Sequence, residues 1–170
     1  EVAKELHLPI DILVPRKIGA PFNEELAVGA VTQDGDVIWN ERVLNLHGIS
    51  PQEVHKTIDQ ERAESARRLK KYRGDKPPIQ LNGKTVIIVD DGIATGATMR
   101  AAINSVREQG AHKIIVATPV ATPDTLNMLA QEVDEVYSVI APELFKGISG
   151  FYQSFPQISD EKVIELFKLC

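Results

Sequence analysis

Cysteine is all but missing from this chain of 170 residues: the single one, Cys170, is the last residue. No internal disulfide can form, and a reducing cytoplasm fits best. Cys170 itself reads as a free terminal thiol without a role. Tryptophan also occurs once, and Trp39 reads as packing or an interface contact. No stretch approaches the roughly 20 apolar residues that a bilayer-crossing helix needs. The opening EVAKELHLP has neither the basic n-region nor the apolar h-region of a signal peptide. Positive charge is in deficit, with a net charge of -5 and a pI near 5.4. That balance argues against general nucleic-acid binding, which favours a basic domain. Repeats and low-complexity segments are absent as well.

What is present is an ordinary globular composition, 43% hydrophobic and 25% charged, on a length that suits one domain with a real core. Charge is unevenly spread. Seven of the 19 Lys and Arg residues fall within Arg62–Lys76, a local basic segment better suited to a small polyanion than to a long one. Two roles are open for it: a solvated helix face, or a lid over a bound anion.

Along the chain, EVAKELHL reads as the later half of a helix, and Pro9 ends it. Ile10–Val14 reads as a buried strand running into Pro15-Arg16-Lys17. A helix ahead of the first visible strand predicts an earlier strand upstream of Glu1. Ala27–Val31 and Val37–Trp39 flank Asp34-Gly35, a hairpin signal. Ser50, Pro51 and Glu53 form an N-cap, a proline at N1 and a capping box. The helix they start runs to about Tyr72 and is polar nearly all round, so it is expected to project or to pack on a partner. His47 and His55 read as surface residues.

From Lys84 the rhythm alternates. Thr85–Val89, Lys113–Thr118 and Glu135–Ile140 are apolar strands, the first of a kind expected to be covered on both faces. Ala97–Gln109, a helix from Thr122 to about Val133, and a helix capped by Ser159 with Val163, Leu166 and Phe167 as its apolar stripe fall between and after them. Strands alternating with helices mean βαβ units: an α/β fold with an open, mostly parallel sheet flanked by helices.

Ligands of such sheets bind at the carboxyl ends of the strands. After Val86–Val89 come Asp90, Asp91, Gly92, Ile93, Ala94, Thr95, Gly96, Ala97 and Thr98. Small residues let a backbone approach a phosphate, and the next helix aims its N-terminus at it. Thr95 and Thr98 add hydroxyl donors. The two aspartates would repel a phosphate and instead suit the vicinal hydroxyls of a ribose, shared with Mg²⁺. Carboxylates followed by a phosphate loop describe a ribose 5-phosphate. No GxxxxGK[ST] and no GxGxxG is present, so a triphosphate P-loop and a dinucleotide fingerprint are excluded.

The 13 residues Val86–Thr98 (VIIVDDGIATGAT) closely resemble the phosphoribosyl pyrophosphate (PRPP) signature of type I phosphoribosyltransferases. The resemblance implies that fold, with a small variable hood, and Mg²⁺ as cofactor, held mainly by the substrate and through water by Asp90 or Asp91. It implies that Asp90 and Asp91 bind the ribose 2′- and 3′-hydroxyls and that Ala94–Thr98 hold the 5′-phosphate. Arg16 and Lys17 in VPRKIGAP look like the pair that contacts pyrophosphate in orotate- and adenine-type enzymes. The wider order (RKIGAP, a polar helix, VDDGIATGAT, TPVATP, GFYQSFPQISDEKV) looks like a bacterial and archaeal subfamily of predicted phosphoribosyltransferases.

That subfamily carries a Leu-Pro-Arg-Gly-Gly-like pyrophosphate loop after its first core strand. These 170 residues contain no such segment, and its expected place is upstream of Glu1. Ala94 stands where 6-oxopurine transferases carry an aspartate, which argues against hypoxanthine- or guanine-type acceptors. Phe151, Tyr152 and Phe155, or the strand end near Thr118, are the candidates for holding an acceptor base, with packing as the other role for the aromatics. The partners implied are PRPP and a small-molecule acceptor, and homodimers are common among relatives. A non-catalytic PRPP- or nucleotide-responsive domain of the same fold is the rival reading. A receiver-type phosphoacceptor domain lacks a convincing Asp and Lys set.

Overall fold

The computed structural model describes residues 1–168; Leu169 and Cys170 lie outside the described residues, and with them the thiol considered above. Helices α1 (Val2–Glu5), α2 (Glu41–His47), α3 (His55–Arg73), α4 (Ala97–Glu108), α5 (Pro123–Leu129) and α6 (Asp160–Lys168) alternate with strands. The strands are β1 (Arg16–Ala20), β2 (Asn23–Val31), β3 (Val37–Trp39), β4 (Thr85–Val89), β5 (Lys113–Val120) and β6 (Glu135–Ile140). They form two three-stranded sheets, β1-β2-β3 and β4-β5-β6.

The second sheet is wholly parallel, in the register Val86–Ile114 and Val116–Val136. This is the α/β arrangement that the alternating pattern predicts. Side chains alternate across its pleat. Ile88, Ile114 and Val116 point into a core shared with Met99, Ile103 and Val106 of α4 and Leu129 of α5. The opposite face is different from expectation. Val89, Tyr137 and Val139 are exposed there, and no residue of β4 on that face is buried. β4 is therefore an edge strand covered on one face, because among the described residues no helix lies across the other.

The first sheet is antiparallel and has its own core: Ile18, Val28 and Val31 against Leu44, Ile49, Val54 and Ile58. The Asp34-Gly35 hairpin forms as read, Gly35 adopting φ +96. The hairpin between β1 and β2 carries no such dipeptide and was not legible. Ile10–Val14 forms no strand, and only Val14 is buried. Arg16 and Lys17 accordingly open a strand rather than follow one.

Helix α3 also corrects its expectation. Ser50 and Glu53 form the capping box, the Ser50 N–H donating to the Glu53 carboxylate at 2.8 Å, ahead of a short 3-10 turn (Pro51–Val54) that leads into the helix. Far from projecting, α3 lies on β1 and α6. Its buried Ser65 hydroxyl donates to the Val14 carbonyl at 2.6 Å. Its basic end is tied down: Lys71 pairs with Asp160 at 2.7 Å, and Arg73 with Asp11 at 3.0 Å. Lys76 reaches the Phe167 carbonyl at 3.0 Å. Lys71, Arg73 and Lys76 thus tie the end of α3 to the N-terminal segment and α6, while Arg67 and Arg68 pair with Glu64 within the helix. On α6 the stripe is Val163, Ile164 and Phe167, whereas Leu166 is exposed. No helix among the described residues is long and apolar enough to cross a membrane.

Candidate functional site

At the carboxyl end of β4 the chain leaves the sheet but stays tied to β5. The Asp90 N–H donates to the Ala117 carbonyl at 3.3 Å and the Ile93 N–H to the Val120 carbonyl at 2.9 Å. Between these two anchors Asp91 and Gly92 stand off the sheet. The Asp90 carboxylate turns back to accept the Asp91 N–H at 2.9 Å. The Asp91 carboxylate is exposed and takes no hydrogen bond or ion pair among the described residues.

Gly96 ends the loop and starts α4. Its φ of +77 is left-handed, and a Cβ there would lie 2.6 Å from the Met128 methyl. The dihedral therefore calls for glycine, and an added Cβ would make the mobile end of Met128 move aside. No side chain caps α4, so its first N–H groups face the loop unpaired. They lie beside Thr95 and Thr98, and unpaired N–H groups at a helix start are chemically suited to an anion. Below them, Arg100 of α4 pairs with Glu132 at 2.7 Å, and Gly29, Ile38 and Asn40 of the hairpin close the back of the loop against Thr95, Ala97 and Arg100.

Burial pushes the Asp90 carboxyl up to about 6, and the neighbouring Asp91 charge adds to the rise. The sign for stability follows. A folded-state value above the unfolded one means that ionised Asp90 costs folding energy, a cost absent below about pH 4 and fully present above about pH 6. Asp90→Asn is expected to raise stability at pH 8 by about 1–3 kcal/mol and to give no gain at pH 3.5. Urea unfolding at the two pH values measures this.

Two elements distant in sequence hold the loop. The buried Thr125 hydroxyl of α5 donates to the Ala94 carbonyl at 2.7 Å. The Tyr152 hydroxyl donates to the Asp91 carbonyl at 2.6 Å. Neither contact has a signature in the chain. Thr125 sits three residues after the cap Thr122, whose oxygen accepts its N–H, and nothing in TPDT reveals a second partner.

The other sequence candidates are placed as follows. Arg16 pairs with Glu61 at 2.6 Å, and Lys17 with Glu25 at 3.2 Å. Consecutive strand residues point to opposite faces, and no described contact joins either residue to Asp90–Thr98. Phe151 stacks on Phe145 with ring centroids 5.6 Å apart, and Tyr152 leans on Phe155 at 4.9 Å. Thr118 is buried, its hydroxyl on the Val120 carbonyl at 3.2 Å. No group of three or more metal-ligating side chains occurs among the described residues.

An acid pair and an uncapped, glycine-started helix thus meet at one sheet end. Comparison with known proteins decides the family. The family model described as the phosphoribosyl transferase domain matches residues 2–154. The chain belongs to the phosphoribosyl transferase domain family.

Two proteins of Mycobacterium tuberculosis strains, each named "Putative phosphoribosyl transferase", are 38% identical over 164 residues, 96% of this chain. The chain spans 37% of their length. A bifunctional protein PyrR of Gloeothece citriformis shares 52% over 40 residues, 24% of this chain and 23% of that protein. The crystal structure of TT1426 from Thermus thermophilus superposes with a TM-score of 0.78 at 32% identity, covering 98% of this chain and 78% of that one. The phosphoribosyl transferase fold read from the sequence is therefore the fold observed.

Proposed function

We propose that this domain binds PRPP with Mg²⁺ and transfers its phosphoribosyl group to a nitrogen acceptor, nucleobase-like in character. The observation that carries the reading is the pairing of Asp90 and Asp91 with the open N-terminus of α4 across the single loop 90–98. Asp90 and Asp91 take the ribose 2′- and 3′-hydroxyls as acceptors, and Ala94–Thr98 take the 5′-phosphate as donors. Arg16 and Lys17 are the pair for the leaving pyrophosphate.

In the reaction the acceptor nitrogen bonds to C1 of the ribose and releases its proton. The bond from C1 to the pyrophosphate oxygen breaks, and its electron pair leaves with pyrophosphate. An oxocarbenium-like state lies between. The chain contributes mainly position and charge stabilisation. Magnesium takes few protein ligands and prefers substrate phosphates and water, and a pair of carboxylates without a third ligating side chain fits that habit. Bound with PRPP, it neutralises charge on the leaving group.

A second reading is favoured by the engagement of Arg16 by Glu61 and of Lys17 by Glu25: a domain that senses PRPP without turning it over. Two measurements separate the cases. Titration calorimetry should give PRPP binding with Mg²⁺ and little without it, and no binding under either condition rejects both readings. Pyrophosphate release across a panel of bases should follow for the transferase. Tight binding with no release from any acceptor points to the sensor.

A further inference from the structure

Residues 148–152 cross the acid pair from outside the loop. The Tyr152 phenol donates to the Asp91 carbonyl at 2.6 Å, 61 residues away in sequence. Ile148 occupies the space beside Gly92: a Cβ on Gly92 would lie 2.6 Å from the Ile148 Cγ2. The Tyr152 ring rests on Phe155 at 4.9 Å. Burial and the charges of Asp91 and Asp90 push the phenol above its ordinary range, so it remains a donor. Asp91 has no other hydrogen bond or ion pair from outside the loop among the described residues, and its side chain is exposed.

We propose that Tyr152, with Ile148, is a positioning residue of the ribose site: a clasp that fixes the Asp91-Gly92 peptide and thereby the direction of the Asp91 carboxylate. This replaces base stacking as the role of Tyr152, and it rests on the ribose 5-phosphate reading of the loop. The physical reason is the peptide's place in an irregular turn, with Asp91 exposed. Residues 91 and 92 stand between two anchors to β5, and a free peptide there can rotate. A rotated peptide carries the carboxylate away from the hydroxyls it must accept from. The phenol removes that freedom from the carbonyl side, and Ile148 removes it from the Cα side.

Tyr152→Phe deletes the hydroxyl and keeps the ring on Phe155. The variant should bind ribose 5-phosphate and Mg²⁺-PRPP about three- to tenfold more weakly, the range a single lost hydrogen bond gives. Inorganic phosphate, which needs only the α4 N-terminus, should bind both proteins equally. Equal ribose 5-phosphate affinity, or an equal loss for phosphate, overturns the clasp. A readout independent of any ligand is amide hydrogen exchange. In Tyr152→Phe the Asp91 amide should exchange several-fold faster while Val116 in β5 is unchanged, and unchanged exchange at Asp91 also overturns it. If wild-type protein binds neither sugar phosphate yet the Asp91 amide loosens in the variant, the ribose reading fails and the clasp stands.

Discussion

Asp91→Asn should weaken Mg²⁺-PRPP binding by about 10- to 100-fold, the loss that follows from replacing a charged acceptor by a neutral one. The fold should not change. Asp91 is exposed, its carboxylate takes no partner among the described residues, and its N–H to the Asp90 carboxylate is a backbone contact that asparagine retains. Calorimetry gives the affinity, and circular dichroism melting gives the control. An unchanged affinity would move the ribose site away from this turn. Asp90→Asn makes a useful contrast. It too should weaken binding, but it should stabilise the protein above pH 6, because burial opposes the ionised Asp90 carboxylate. Wild-type binding should weaken as pH falls through about 6, where Asp90 gains its proton.

Gly96→Ala should destabilise the protein by about 1–3 kcal/mol, chiefly a left-handed penalty of about 1–2 kcal/mol, with a smaller overpacking cost because the Met128 methyl it meets ends a flexible side chain. The two causes can be separated. Gly96 has φ +77, and its missing Cβ would overlap the Met128 methyl at 2.6 Å. Met128→Ala in the same background removes the overlap but not the dihedral strain. The double variant should therefore regain part of the loss, beyond what Met128→Ala alone predicts. Urea unfolding of the four proteins measures this coupling. Full additivity would mean that Met128 does not press on the loop. Phosphate affinity should fall in Gly96→Ala, since the N-terminus of α4 turns with residue 96.

The parts of the fold legible in the chain are those whose cause is local. Parallel strands β4, β5 and β6 announce themselves as β-branched runs between helices. The Asp34-Gly35 hairpin and the Ser50-Pro51-Glu53 start each place their chemistry within a few residues. The acid pair and the proposed phosphate loop are equally local, because one strand, one turn and one helix terminus build them. Ile10–Val14 shows the limit. It has the composition of a buried strand, yet a strand exists only with a ladder partner, and none pairs with it among the described residues.

Val86–Thr98 by itself pointed to the family and determined which sheet end carries the acid pair and the glycine-started helix, since these depend on order along one segment. Tertiary structure alone decided where the end of the basic helix is tied, because Arg73 and Lys71 are claimed by Asp11 and Asp160 at sequence separations of 62 and 89. It also decided which face of the parallel sheet is open and which hydroxyls hold the loop. Tyr152 and Thr125 reach Asp91 and Ala94 across 61 and 31 residues. A hydrogen bond to a backbone carbonyl is indifferent to the side chain of the residue that carries it. It leaves no mark on the sequence at that residue, and only folding brings donor and acceptor together.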